Sequence, residues 1–174
     1  MKSPRWVALA ALVVIAAAVG AYFLLRPTDE SRIRAQLTRL AAAVRVTDED
    51  AQAHPIGRMA HVNAELAKVF EADVRASIPE ALPHDADREE LVELVVGAPR
   101  FLRAFDVDFT NVTIKLDDTR TTALVGATAD VKLGERDGSP SRERRAVDFR
   151  FVRKDGEWLV RTLTVWSKGE AEAE

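Results

Sequence analysis

Residues 105–116 read Phe-Asp-Val-Asp-Phe-Thr-Asn-Val-Thr-Ile-Lys-Leu. Apolar and polar residues alternate, which is the period of a half-buried strand. Phe105, Val107 and Phe109 hold one parity, whereas Val112, Ile114 and Leu116 hold the other. A shift of one residue turns every side chain to the opposite face, so one strand cannot keep a single buried face across that switch. A bulge or sharp bend near Thr110–Asn111 resolves it. The sheet containing this strand is therefore expected to be strongly curved.

Toward the C-terminus the same period continues. Asp117-Asp118 marks a turn. Thr121 to Leu133 is the next strand, with Ala123, Val125, Ala127, Ala129, Val131 and Leu133 on one face and Asp130 opposite them. Gly134 to Ser141 is a polar hairpin connection containing Asp137-Gly138. Val147, Phe149 and Phe151 face inward from a third long strand. Lys154-Asp155-Gly156-Glu157 is a tight turn, and Trp158 to Trp166 is the last strand. Four long strands joined in sequence form an antiparallel meander whose apolar face needs a cover.

Toward the N-terminus the period changes to that of helices. Pro27-Thr28-Asp29 reads as a helix entry, with Asp29 as cap or first-turn acid. Ile33, Leu37, Leu40 and Val44 follow at helical spacing. A second helix begins near Pro55, a residue tolerated at the first helical position. Its stripe is Ile56, Met59, Val62, Leu66 and Val69 or Phe70. Val74 to Ile78 reads as a short strand, ended by Pro79 and Pro83. Asp87 with Glu90 three residues later forms a capping box for a third helix. Leu91, Leu94 and Val95 are its buried side, and Gly97-Ala98-Pro99 stops it.

Composition adds a division of the chain. Of its 174 residues 47% are hydrophobic, but Trp6 to Leu25 is a run of 20 broken only by Gly20. A bilayer core of about 30 Å needs roughly that many apolar residues. Two readings are open: an uncleaved signal anchor, or a signal peptide cleaved after Ala18 or Ala21. The anchor reading divides the chain into a short cytoplasmic N-terminus (1–5), a transmembrane helix (6–25), a linker (26–28), a folded domain (29–167) and a disordered acidic tail (168–174). Nineteen Arg against six Lys, with 28 Ala, suggest a bacterial genome rich in G and C. The expected placement is then the bacterial inner membrane, single-pass, with the C-terminal domain in the periplasm. Residues 27–174 carry 22 Lys and Arg against 28 Asp and Glu, a net charge of −6, which argues against nucleic-acid binding. There is no cysteine, so no disulfide or lipid-anchoring thiol is available. Asn111-Val112-Thr113 matches a glycosylation sequon, read here as chance.

The pattern resembles the NTF2-like (SnoaL-like, cystatin-like) superfamily over roughly residues 29–167. The residues that carry the resemblance are Ile33–Val44, Leu66-Ala67-Lys68-Val69-Phe70-Glu71-Ala72-Asp73-Val74, Arg88-Glu89-Glu90-Leu91 and, above all, Phe151-Val152-Arg153-Lys154-Asp155-Gly156-Glu157-Trp158-Leu159-Val160. The resemblance implies an α+β cone: three N-terminal helices on a curved antiparallel sheet of about four long strands, with a pocket at the wide end. It also implies that the outer sheet face can pair two copies, and that enzymes of this kind use Asp, Tyr or His inside the cone.

The chain is poor in such groups. Its one tyrosine, Tyr22, lies in the apolar run. His54 and His84 fall in loops, and His61 adjoins the stripe of the second helix. A histidine beside a carboxylate could act as a general base, but a surface position is the ordinary reading. No spacing indicates a metal site, a phosphate loop or a nucleophile, and no cofactor is expected. Residues expected to reach the pocket are His61, Phe70, Phe101, Trp158 and Trp166. Trp158 and Trp166 share parity with Val160, Thr162 and Thr164, and core packing is their ordinary reading. Asp106 and Asp108 share the solvent face of their strand. Arg142, Arg144, Arg145, Arg150, Arg153 and Arg161 join Asp130, Lys132 and Asp148 in a mixed-charge outer face. Within it Arg150, Arg161 and Asp148 are candidates for protein contact, as a homodimer or with an envelope partner. The leading expectation is a non-enzymatic binding or interaction module, with a small apolar ligand or a protein as partner. The alternative is an enzyme of the dehydratase or isomerase kind working in the pocket.

Overall fold

The computed structural model describes residues 27–47, 49–50, 55–79, 81–135, 138 and 140–166. Its contacts divide the chain into Met1–Arg32 and Ile33–Glu174. Of the first unit, residues 27–32 are described. There the Ser31 N–H donates to Thr28 Oγ1 (3.2 Å) and the Arg32 N–H to the Thr28 carbonyl (3.0 Å). Thr28 thus caps helix α1 (Asp29–Val44), and Asp29 and Glu30 sit in its first turn, where the helix dipole favours acids.

In the second unit, α2 (Pro55–Leu66) precedes strand β1 (Phe70–Ser77). Helix α3 (Arg88–Gly97) and a short 3-10 turn (Ala98–Arg100) follow. The chain then enters β2 (Leu102–Leu116), β3 (Thr122–Glu135), β4 (Ser141–Lys154) and β5 (Glu157–Val165). The sheet order is β1-β5-β4-β3-β2, with β1 parallel to β5 and every other pair antiparallel.

The expected switch in β2 is a bulge. Thr110 pairs with Thr128 but Thr113 with Gly126, so β2 carries one extra residue there. Asn111 takes up the strain with a φ of 51°, a conformation its short polar side chain tolerates. The hairpin between β4 and β5 turns at Asp155 (φ 51°) and Gly156 (φ 86°), as a two-residue type I′ turn requires. The capping box of α3 is present. Asp87 Oδ1 accepts from the Glu90 N–H at 3.0 Å, and Glu90 Oε2 accepts from the Asp87 N–H at 3.1 Å.

Four expectations change. The sheet has five strands and is mixed, because the short strand begins at Phe70 and adds a parallel edge beside β5. Phe70 therefore belongs to β1 and not to the second helix. The α2 stripe is buried only at Val62 and Leu66, while Ile56 and Met59 are exposed. In α3, Val92 is buried in place of Leu94. The fourth change concerns placement. Among the described residues no helix is long and apolar enough to cross a membrane, which overturns the single-pass inner-membrane placement. The run Trp6–Leu25 lies outside the described residues, as do His54, Asp137 and the tail 168–174.

One core holds the domain together. Ile33, Leu37 and Leu40 of α1, Val62 and Leu66 of α2 and Leu91, Val92 and Val95 of α3 pack with the inward residues of the sheet. Trp158, Phe149 and Phe151 are its largest fully buried side chains. Arg58 links α2 to α3: its side chain is buried, it donates to the Val95 carbonyl (3.3 Å), and it is ion-paired with Asp50.

Candidate functional site

Helices and sheet do not meet everywhere. Between them lies a cavity of about 520 Å³, within the range of small-molecule sites. Its walls come from Leu40 and Val44 of α1, Leu66 of α2, Phe70 of β1 and Leu91, Leu94 and Val95 of α3. The sheet adds Phe105, Val107 and Phe109 of β2, Ala129, Val131 and Leu133 of β3, Val147 and Phe149 of β4, and Leu163 and Val165 of β5. Phe109 meets Phe149 edge-on at 5.4 Å between ring centres.

Two lining side chains are charged, Glu143 and Arg145. Both lie on β4 at the parity of Val147, Phe149 and Phe151, so the pleat turns them inward. Glu143 Oε2 lies 2.5 Å from Arg145 Nη2. The Arg145 side chain is only 10% exposed, whereas that of Glu143 is 41% exposed and stands where the cavity meets solvent. Arg145 Nη1 also donates to the Arg144 carbonyl at 3.3 Å. The expectation that Arg145 belongs to the outer charged face is thus corrected. Its parity with Val147 and Phe149 was the available signal, masked by the run Arg142-Glu143-Arg144-Arg145.

The other singled-out residues fall in three places. Phe70 lines the cavity. Trp158 is fully buried in the core and does not line it. His61 is exposed on α2, Phe101 is 74% exposed, and neither lines the cavity. Trp166 lies on the outer face, where its Nε1 donates to Asp148 Oδ2 at 2.8 Å. The reason is a bulge in β5. Arg150 pairs with Thr162 and Phe151 with Val160, so Arg161 is the extra residue and parity flips beyond it. Leu163 and Val165 then face inward in place of Thr162 and Thr164.

The outer face is mixed in charge and largely engaged within the molecule. Arg161 donates through Nε to Glu71 Oε2 (2.8 Å) and through Nη2 to Oε1 (3.2 Å). Asp130 points outward yet is 6% exposed, because Arg144 (2.8 Å), Arg142 (3.3 Å) and Thr110 (3.3 Å) converge on it. The Arg144 hydrogen bond holds its carboxyl below the ordinary range. Asp106 is lowered likewise by Arg45, with Lys132 adding to it, and Lys132 also reaches Asp108 at 3.3 Å. Arg150, Arg161 and Asp148 share this face. His84 is exposed and hydrogen-bonded to Glu90 at 2.8 Å. Among the described residues no group of three or more His, Cys, Asp or Glu is placed to hold a metal.

No family model and no curated protein matches this sequence. Solved structures do resemble its fold. A candidate scytalone dehydratase from Novosphingobium aromaticivorans superposes with a TM-score of 0.59 at 16% identity, over 79% of this chain and 82% of that one. An NTF2-like protein from Cytophaga hutchinsonii gives 0.58 at 14% identity, over 80% and 98%. A type 2 hexachlorocyclohexane dehydrochlorinase (LinA) gives 0.62 at 10% identity, over 80% and 84%. The domain therefore has the NTF2-like fold, in which enzymes and other proteins both occur; at these identities the likeness shows the fold alone.

Proposed function

We propose that this domain is a small-molecule binding module whose cavity takes an apolar ligand. The observation that carries the reading is the wall itself. It is aliphatic and aromatic throughout, save for the Glu143–Arg145 pair where it opens. An apolar ligand entering it leaves water at roughly 25 cal/mol for each Å² of apolar surface buried. Neither His61 nor His84 lines the wall, and the nearest candidate for a general base, Glu143, is engaged by Arg145.

The test is titration of the full chain with N-phenyl-1-naphthylamine, a neutral probe that fluoresces when it leaves water. Saturable binding to the wild type is expected. Loss of that binding is expected in Val131→Trp, which fills the wall beside Glu143. Undiminished binding in a folded Val131→Trp variant would refute the reading.

A second reading is an enzyme of the dehydratase or isomerase kind. One observation favours it: Glu143 is a half-exposed carboxylate at an apolar cavity. It predicts turnover that Glu143→Gln abolishes.

A further inference from the structure

We infer that the cavity selects ligands carrying a carboxylate at the end of an apolar body, and that Arg145 is the group that receives it. The inference rests on the apolar-cavity reading and adds the chemical class of the ligand.

The argument starts from the unequal burial of the two charges. Arg145 keeps 10% of its side chain exposed, Glu143 41%, and they meet at 2.5 Å. Arg145 cannot leave for water without vacating its place between Ala129 and Val147, whereas Glu143 can turn outward with little rearrangement. Three kinds of ligand then behave differently. A neutral amphiphile leaves the pair as it is and gains only apolar burial. An amine competing for Glu143 takes the carboxylate away from a guanidinium that is nine-tenths buried, which is the costly way to break such a pair. A carboxylate replaces Glu143 on Arg145 and releases Glu143 to solvent, so the buried cation keeps an anionic partner throughout. Arginine suits that exchange, because its planar fork meets a carboxylate at two points. The remaining wall, from Phe105 and Val131 to Phe149, offers the apolar body no polar competitor. Glu143 thus acts as a resident stand-in for the ligand's own headgroup.

The test compares decanoate, decanol and decylamine by calorimetric titration of the full chain. Decanoate is expected to bind at least about tenfold more tightly than decanol, as a hydrogen-bonded charge pair out of water implies. Arg145→Gln is expected to weaken decanoate to the level of decanol and leave decanol unchanged. Glu143→Gln is expected to tighten decanoate, since the internal competitor is gone. Because Arg145→Gln removes a buried charge, its folding is checked by circular dichroism; should it not fold, Glu143→Gln decides. Equal binding of decanoate and decanol to the wild type would overturn the inference and leave the apolar-cavity reading standing. So would tightest binding of decylamine, or weaker decanoate binding by Glu143→Gln. Binding of none of the three would overturn both.

Discussion

Arg161 grips Glu71 at two points, Nε to Oε2 at 2.8 Å and Nη2 to Oε1 at 3.2 Å, and so ties the parallel edge strand β1 to the bulge of β5. Glu71 is 7% exposed, with Lys154 as a more distant partner at 3.8 Å. Removing one member of a buried pair harms more than removing both. Arg161→Met is therefore expected to lower the midpoint of urea unfolding more than the double variant Arg161→Met/Glu71→Leu does. A double-mutant cycle checks this, and equal midpoints would show that the pair contributes no coupling.

The Asp155-Gly156 turn makes a sharper prediction. Gly156 has a φ of 86°, where any Cβ is strained, so Gly156→Ala should destabilise the domain by about 1–2 kcal/mol. Asp155→Asn should be close to neutral, because asparagine accepts the left-handed region equally well. Denaturant titration distinguishes the two.

Phe149 makes the edge contact with Phe109 and closes one wall of the cavity. Phe149→Ala should cost about 3–5 kcal/mol and enlarge the cavity. A stability loss below about 1 kcal/mol would mean that the wall collapses to fill the space.

Two exposed carboxylates set the pH dependence. Asp117 organises the turn between β2 and β3, accepting from the Thr119 hydroxyl (2.7 Å) and from the Thr121 and Thr122 N–H groups (2.8 and 3.1 Å). These bonds, that from Thr119 foremost, lower its pKa to about 2. A depressed pKa gives stability that is present above the ordinary aspartate value and is lost as pH falls toward about 2. Asp117→Ala should flatten stability against pH in that window. At the head of α3, hydrogen bonding to Glu90 raises the pKa of His84, and the same bond lowers that of Glu90. The His84 contribution is complete below the ordinary imidazole pKa of about 6.5 and is lost as pH rises through the raised value. The Glu90 contribution runs the other way, lost as pH falls below the ordinary glutamate value. NMR titration of His84 in the wild type and in Glu90→Gln should show the imidazole pKa fall in the variant.

Much of the fold was legible from short-range pattern. The parity switch at Thr110–Asn111 announced the β2 bulge, Asp155-Gly156 the last hairpin, and Asp87 with Glu90 the capping box, because each signal lies within a few residues. The β5 bulge was not legible. Trp158, Val160, Thr162, Thr164 and Trp166 alternate without a break, and the flip at Arg161 follows from its grip on Glu71, ninety residues away in the chain. The parallel edge was missed for a similar reason: Phe70 continues the helical stripe of α2, and only pairing with Val160 draws it into a strand. The cavity's charged pair sat within a run of arginines whose separate faces the pleat alone divides.

What the sequence by itself determined is local: the class α+β, the curvature of the sheet, the turns, the caps and the scarcity of groups for acid–base work. Period, parity and turn chemistry act over a few residues and survive in any surroundings. Only the tertiary structure decided which residues meet. It set Glu143 and Arg145 inward, Trp166 outward and His61 in solvent, because partnership across the sheet and burial against the helices depend on residues far apart in the chain.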